Sequence, residues 1–353
     1  MKVFVTGVNG QLGHDCMLEL ARRGYEAVGS DIQEAELSAG RSAGGAAGCE
    51  TGSAAGQSGA AGCETGSAAG RSEGDAAGCE TGLAAGQPEG AVTGQPPYVR
   101  MDITDRLAVL STIKAVKPDV IIHCAAWTAV DAAEDEENQP KVYAINAKGT
   151  CNVAEAARLV DAKMIYISTD YVFDGQGERP WHPDDRNYAP LNVYGKSKLE
   201  GELAVSSQIE KYFIVRIAWV FGVNGKNFIK TMLNVAKTHD TVRVVTDQIG
   251  TPTYTYDLAR LLVDMAETDK YGYYHATNEG GFISWYDFTC EIYRQAKIAT
   301  RVVPVTTEEY GLSKAERPFN SRLDKSKLVE AGFEPLPEWK DALARYLKAV
   351  GEI

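Results

Sequence analysis

The stretch Lys2-Val3-Phe4-Val5-Thr6-Gly7-Val8-Asn9-Gly10-Gln11-Leu12-Gly13 decides the fold. Lys2 to Thr6 is the β-branched and aromatic run of a buried strand. From Gln11 to Arg23 apolar side chains recur at helical spacing, Leu12, Cys16, Leu18 and Leu20 among them. Between the two lies GxxGxxG, formed by Gly7, Gly10 and Gly13. Without side chains the backbone turns tightly there and approaches a pyrophosphate, whose charge is met by free N–H groups at the helix N-terminus. Asn9, Gln11 and Leu12 share this turn and join the glycines as cofactor-binding candidates. Three glycines alone are weak evidence. Here they follow a strand, open a helix and precede a second strand, Tyr25 to Ser30, that ends at Asp31. A carboxylate in that place accepts hydrogen bonds from an adenosine ribose, and this role is favoured for Asp31 over that of a solvated turn residue. On the ribose it would repel a 2′-phosphate and favour NADH over NADPH. Arg41 and Arg71 downstream are the cations that would argue the other way.

Outward from this nucleus, strand and helix alternate. Tyr98 to Arg100 is a strand, followed by a helix from Asp105 to Val116 and the strand Asp119 to His123. A helix from Val142 to Val160 and the strand Lys163 to Ser168 come next. Short apolar strands separated by long helices pair in parallel through right-handed crossovers, which gives a Rossmann-type, doubly wound α/β sheet. After Phe221-Gly222 the elements shorten: 227–237, 257–267, 284–296 and 337–349. The expected division is a dinucleotide-binding domain over 1–222 and a smaller C-terminal substrate lobe over 223–353, with some of its segments returning to the sheet. Asp102-Ile103, just past the third strand, is placed to meet an adenine ring; Asp102 is equally placed to cap the helix that follows.

One segment breaks the pattern. Residues 38–97 repeat AAGCETGSAAGQS-like units, with CETG starting at Cys49, Cys63 and Cys79, and hold sixteen of the 35 glycines. Units of 14 and 16 residues without a large apolar position cannot stack as a solenoid. The tract is expected to be a disordered, low-complexity loop insertion, which a surface connection tolerates because closure entropy grows slowly with length.

The rest of the composition excludes several classes. A net charge of -12 without a basic stripe argues against nucleic acid. No apolar run reaches the roughly 18 residues of a membrane span. The N-terminus enters a strand directly, so a cleaved signal peptide is not expected. Seven cysteines without metal-ligand spacing read as reduced thiols, which fits a cytoplasmic protein with no metal site.

YxxxK occurs three times, at Tyr194/Lys198, Tyr293/Lys297 and Tyr310/Lys314. On a helix this spacing puts phenol and ammonium on one face, where the cation favours phenolate and the phenol serves as the acid of a carbonyl reductase. Tyr293 has aromatic and aliphatic neighbours at helical spacing and reads as core. Tyr310 stands in a polar stretch beside Gly311 and away from any nucleotide strand. Tyr194 follows the fifth strand, whose end is Ser168-Thr169-Asp170, and ligands bind at such strand ends. Thr169, Tyr194 and Lys198 are therefore the catalytic candidates, with the Thr169 hydroxyl bonding the substrate oxygen that Tyr194 protonates.

The blocks GVNGQLG, HCAAWTAVDAAE, ISTDYVFDG, PLNVYGKSKLEGE, VRIAWVFG, GKNFIKTM, VVTDQIGTPTYTYDLA and RPFNSRLDKSKL stand in order along the chain. They resemble the extended short-chain dehydrogenase/reductase superfamily and, within it, the dTDP-4-dehydrorhamnose reductases. The resemblance spans nearly everything outside the repeat. It implies hydride transfer from NADH or NADPH to the C4 carbonyl of dTDP-4-dehydrorhamnose, making a dTDP-L-rhamnose donor for surface polysaccharide. It also implies that Lys198 holds the nicotinamide ribose, that Ala125 and Ala126 pass beside the cofactor, and that Asn146 supports the strand ends. Thr128, Asp170, Trp219, Asn227 and Arg317 become substrate contacts, Arg317 facing the diphosphate. Mg2+ between subunits would fall near Asp15, where the family pattern has glutamate. A monomer or homodimer is expected. A 4,6-dehydratase would need glutamate where Tyr171 stands, and an epimerase would retain its cofactor. A regulatory subunit similar to the methionine adenosyltransferase β subunit would share the STDYVFDG-like block without turning over.

Overall fold

In the computed structural model the described residues are 1–33 and 97–353. The repeat, with Arg41 and Arg71, lies outside them. Seven parallel strands form the central sheet: β1 (Lys2–Thr6), β2 (Glu26–Asp31), β3 (Tyr98–Arg100), β4 (Val120–His123), β5 (Lys163–Thr169), β6 (Tyr212–Ile217) and β7 (Gly272–His275). Their order is β7-β6-β5-β4-β1-β2-β3. The order reverses between β1 and β4, which opens the crevice where doubly wound sheets take their ligands.

Alternation along each strand divides the core in two. Val3, Val5, Ile122, Ile165 and Val215 point to the face covered by α1 (Gln11–Arg22) and by a later helix, residues Thr255–Ala266. Phe4, Ile121, Met164 and Ile214 point to the other face, against α2 (Arg106–Val116), α3 (Thr150–Leu159) and α4 (Val193–Gln208). Both faces of a parallel sheet are buried, so its strands are apolar at nearly every position. A third cluster packs the C-terminal elements against one another. It joins Ile229 and Leu233 of α5 (Phe228–Ala236), Val242 and Val244, Phe288 and Ile292 of α7 (Trp285–Gln295), and Trp339 and Leu343 of α8 (Trp339–Ala349). The helix Thr255–Ala266, numbered α6, and strand β7 lie on the large sheet, although both come after residue 222.

Two local findings differ from the sequence pattern. The helix expected over 142–160 begins earlier, at Gln139–Tyr143 with Pro140 in its first turn, then widens into a π-turn over Ala144–Gly149 before α3. Asp105, and not Asp102, caps α2: its carboxylate accepts from Leu107 N at 3.0 Å and Ala108 N at 3.1 Å. Asp102 closes its own turn by accepting from the backbone and hydroxyl of Thr104, each at 2.8 Å.

Candidate active site

The glycine turn is built by close approach. Gly7 has φ +72°, and a Cβ on it would lie 2.7 Å from Ala125 N, so the first glycine and the β4 loop touch backbone to backbone. At Gly13 a Cβ would lie 2.7 Å from Gly7 C and 2.9 Å from Val8 Cα, which packs α1 directly on the turn. Asp31 accepts from Asn9 N at 3.1 Å and from Ile32 N at 2.8 Å, so its carboxylate braces the turn from the end of β2. Gly7, Asn9, Gly10 and Asp31, with Asp102, Ile103, Ala125 and Ala126, wall a cavity of about 320 Å³. Such a cradle fits the pyrophosphate and adenosine of a dinucleotide: backbone donors at a helix N-terminus, no side chain in the way, and a carboxylate beyond.

A second cavity of about 600 Å³ adjoins it, sharing Gly7, Gly10, Cys124 and Ala126 and also lined by Gln11 and Leu12. Thr169, Tyr194 and Lys198 all reach its wall. Asn192 starts α4 by accepting from Gly195 N at 2.8 Å, while Glu134 accepts from Val193 N at 2.7 Å. Gly195 presses so closely on the Tyr171 carbonyl that a side chain has no room, which seats Tyr194 beside the end of β5. The Tyr194 phenol lies beside the Thr169 hydroxyl, and Tyr171 packs edge-on against it at 5.6 Å. Burial holds the phenol above the ordinary tyrosine range, with the Thr169 hydroxyl pulling it back. The expected lowering by Lys198 is absent because its ammonium is turned to the Ile167 carbonyl, 2.7 Å away. It also lies 4.1 Å from the Tyr166 ring centroid. Burial brings Lys198 down to about 7, against an opposing pull from Glu202.

Asn146 sits in the π-turn, fully buried. Its amide donates to Ser197 Oγ at 3.0 Å and to the Trp127 carbonyl at 3.1 Å, and its oxygen accepts from Trp127 N at 2.8 Å. The widened turn brings this side chain to both the β4 loop and α4, a use of π-geometry often found at functional sites. Asp170 is also buried, and Thr169 Oγ1 donates to its Oδ1 at 3.0 Å while Oδ2 makes no hydrogen bond. Burial raises it to about 6, with hydrogen bonds from Ser321 and Thr169 pulling the other way.

The remaining candidates divide. Thr128 and Trp219 line the larger cavity. Trp219 has φ +51°, a strained backbone for an aromatic residue, and stacks on Trp285 with ring centroids 3.8 Å apart. Trp285, the first residue of α7, escaped the sequence reading, because only long-range folding brings it to Trp219. Arg317 lies in an adjoining cavity of about 390 Å³, where Arg243 also reaches. It donates to Asp131 Oδ2 at 2.6 Å, and its other terminal nitrogen is buried without a partner. Asn227 does not line the cavity. Its amide donates to Gly222 O at 2.8 Å and its oxygen caps α5 through Lys230 N at 3.0 Å, while Gly225 and Lys226 hold the wall. Resemblance gives a position, and here the capping requirement claims the side chain.

Tyr293, from the second YxxxK, is buried in the lobe and donates to Met232 O at 3.0 Å. Lys314 of the third pairs with Asp135. Asp15 is 5% exposed and accepts from Thr255 Oγ1 at 2.5 Å, so its carboxylate is turned into the α1–α6 contact. Among the described residues no group of three or more His, Cys, Asp or Glu side chains converges, so no metal step is derived. No helix among them is long and apolar enough to cross a membrane.

Fold and site define a Rossmann-type oxidoreductase of the short-chain dehydrogenase/reductase class. The family model described as RmlD substrate binding domain matches residues 54–352. A dTDP-4-dehydrorhamnose reductase of Aggregatibacter actinomycetemcomitans is 43% identical over 260 residues, which cover 70% of this chain and 86% of that protein. The crystal structure of a Clostridium acetobutylicum dTDP-4-dehydrorhamnose reductase superposes with a TM-score of 0.77 at 36% identity, covering 99% of this chain and all of the other. That of Bacillus anthracis, in complex with NADP, gives 0.76 at 34% identity with 99% of each chain covered. The chain belongs to the dTDP-4-dehydrorhamnose reductase family.

Proposed function

We propose that this chain reduces the C4 carbonyl of dTDP-4-dehydro-β-L-rhamnose to give dTDP-L-rhamnose, with NADH or NADPH as reductant. The observation that carries the reading is the meeting of Thr169, Tyr194 and Lys198 with the glycine turn in the lining of one cavity. Bound in the cradle, the dinucleotide supplies the hydride. Tyr194 gives its proton to the carbonyl oxygen, and burial suits it to this task, because a raised phenol is fully protonated before the reaction. Thr169 Oγ1 hydrogen-bonds the same oxygen. Lys198 holds the nicotinamide ribose and stabilises the charge left on Tyr194. Thr128, Asp170 and Trp219 surround the sugar, and Arg317 faces the diphosphate. Asp31, braced by two backbone donors, is the ribose acceptor and disfavours a 2′-phosphate. Tyr171 after Thr169-Asp170 leaves no second acid of the kind a dehydratase needs, and the reductase relatives favour turnover over a purely regulatory role.

The test is consumption of reduced nicotinamide by the purified chain that depends on dTDP-4-dehydrorhamnose. Tyr194→Phe should bind cofactor normally and lose roughly 10²–10⁴ in kcat. Folded protein without sugar-dependent oxidation, or a Phe variant with full turnover, overturns the reading.

A further inference from the structure

His123 ends β4 with its ring buried, and each of its nitrogens meets a threonine hydroxyl. Nδ1 lies 2.7 Å from Thr6 Oγ1 at the end of β1, and Nε2 lies 3.1 Å from Oγ1 of Thr150, the first residue of α3. The ring stacks on that of Tyr166 of β5, 5.8 Å between centroids. The other partners of the two hydroxyls fix which way the hydrogens run. Thr150 Oγ1 is 2.8 Å from the Asn146 carbonyl, and a carbonyl only accepts, so the hydroxyl hydrogen goes there. Thr150 can then only accept from His123, which puts the imidazole proton on Nε2. Burial brings this imidazole down to about 3, so it is neutral and Nδ1 keeps a lone pair. Thr6 donates to Nδ1 and in turn accepts from Ala125 N at 3.2 Å. The hydrogen bonds run in one unbroken direction, from Ala125 N through Thr6, His123 and Thr150 to the Asn146 carbonyl.

Ala125 is where this series meets the cofactor cradle. A Cβ on Gly7 would strike Ala125 N at 2.7 Å, so the turn after β1 leans directly on that atom. Two residues on, Trp127 N donates to Asn146 Oδ1 at 2.8 Å. The β4 loop is therefore held at both ends from one π-turn, at Trp127 by the Asn146 side chain and at Ala125 by the series that finishes on the Asn146 backbone. Asn146 Nδ2 continues to Ser197 Oγ, which donates to the Tyr194 carbonyl at 2.8 Å. We infer that His123, with its proton on Nε2, is a positioning residue that holds the Ala125 end of this loop, and through it the glycine turn, in register for the dinucleotide. The inference rests on the reading of that turn as a cofactor cradle. His123 lines neither cavity, so it acts through Thr6 and Ala125 and not by contact. Filling space does not call for an imidazole here, because a phenylalanine ring would occupy the same place and keep the stack on Tyr166. What a phenyl ring lacks is the acceptor that Thr6 needs and the donor that Thr150 needs.

The experiment titrates NADH, followed by fluorescence, into wild type, His123→Phe, His123→Asn, Thr6→Val and the double variant His123→Phe/Thr6→Val, each first shown to melt cooperatively. His123→Phe takes the acceptor from Thr6, and affinity should fall about tenfold. KM for NADH should rise in step, while kcat at saturating cofactor changes little. Asparagine offers an amide oxygen near the Nδ1 position, so His123→Asn should recover most of the affinity. In the Thr6→Val background His123→Phe should weaken binding no further, because the link it acts through is already cut. A merely structural histidine would lower the melting temperature and leave the affinity of the folded protein alone. Wild-type affinity in folded His123→Phe, an Asn variant as weak as the Phe variant, or losses that add in the double variant overturns the inference. Should the Phe variant not fold, nitrogen NMR of the wild-type imidazoles carries the test. The His123 signal, the one of five histidines that His123→Asn removes, should show a protonated Nε2 and a bare Nδ1 at neutral pH. A proton on Nδ1 overturns the inference. If wild type binds neither NADH nor NADPH, the cradle reading falls and this inference with it; if wild type binds and the folded Phe variant binds equally well, only the present inference fails.

Discussion

The two cavities at the sheet edge are built by opposite means. The smaller is lined by the turns that follow β1, β2, β3 and β4, and at Gly7 its wall is a backbone-to-backbone contact where a side chain has been left out. The larger shares the glycine turn but adds side chains from β5, α4, the segment after β6 and the first turn of α7. A site made of backbone tolerates no added atom, whereas one made of side chains loses function one group at a time. The difference sets the order of the following predictions.

Gly13→Ala attacks the glycine turn on which both cavities rest, at its tightest contact. A Cβ at 2.7 Å from Gly7 C and 2.9 Å from Val8 Cα meets only main chain, so the turn itself must move. Overpacking of this kind costs up to about 3 kcal/mol, which on the displaced pyrophosphate turn is roughly a hundredfold loss of cofactor affinity. Fluorescence titration with NADH should show this, accompanied by a fall in melting temperature of several degrees. Unchanged affinity would mean that the glycines serve helix packing alone and that the contrast between the cavities is false.

Trp285→Ala attacks the side-chain cavity. Trp285 stacks on Trp219 and lines both the reaction cavity and the neighbouring one that holds Arg317. Loss of the stack is worth about 0.5–1.5 kcal/mol, so KM for the sugar nucleotide should rise roughly threefold to tenfold with little change in kcat or in cofactor affinity. A fall in kcat at constant KM would place Trp285 in the chemistry instead of the wall.

The same contrast explains what was legible in the sequence. Gly7, Gly10, Gly13 and Asp31 fall within one βαβ unit, so their spacing carries their geometry, and the strand-helix alternation revealed the sheet around them. Tyr194 and Lys198 were separated from two decoy pairs because their helix follows β5. The Asn146 network was only half visible: the residue stood out by resemblance, but the π-turn that aims it leaves no periodicity signal. Trp285 and His123 were not singled out, since each acquires its role from a partner 66 or 117 residues away. Asn227 shows the converse, a matching position whose hydrogen-bonding groups are consumed by a helix cap.

Asp170 joins the two cavities' logic, since it is a side chain in the reaction wall held under strain by its surroundings. Burial raises it to about 6, against an ordinary value of 3.8, and Oδ2 has no hydrogen bond. An acid whose folded pKa is raised binds more protons in the native state between those two values, so stability falls as pH climbs through that window. About two units correspond to roughly 3 kcal/mol withheld from the fold above pH 6. Asp170→Asn abolishes this charge but leaves a desolvated amide, so a net gain of about 1 kcal/mol is expected. Chemical denaturation at pH 7.5 should show the variant more stable than wild type, and the gain should shrink as pH falls and reverse toward pH 4, where only the cost of the amide remains. A difference independent of pH would mean that Asp170 is not charged at a cost in the folded protein. Activity should fall in the same variant, because a carboxylate kept in so unfavourable a place on the cavity wall is held there for function and not for the fold.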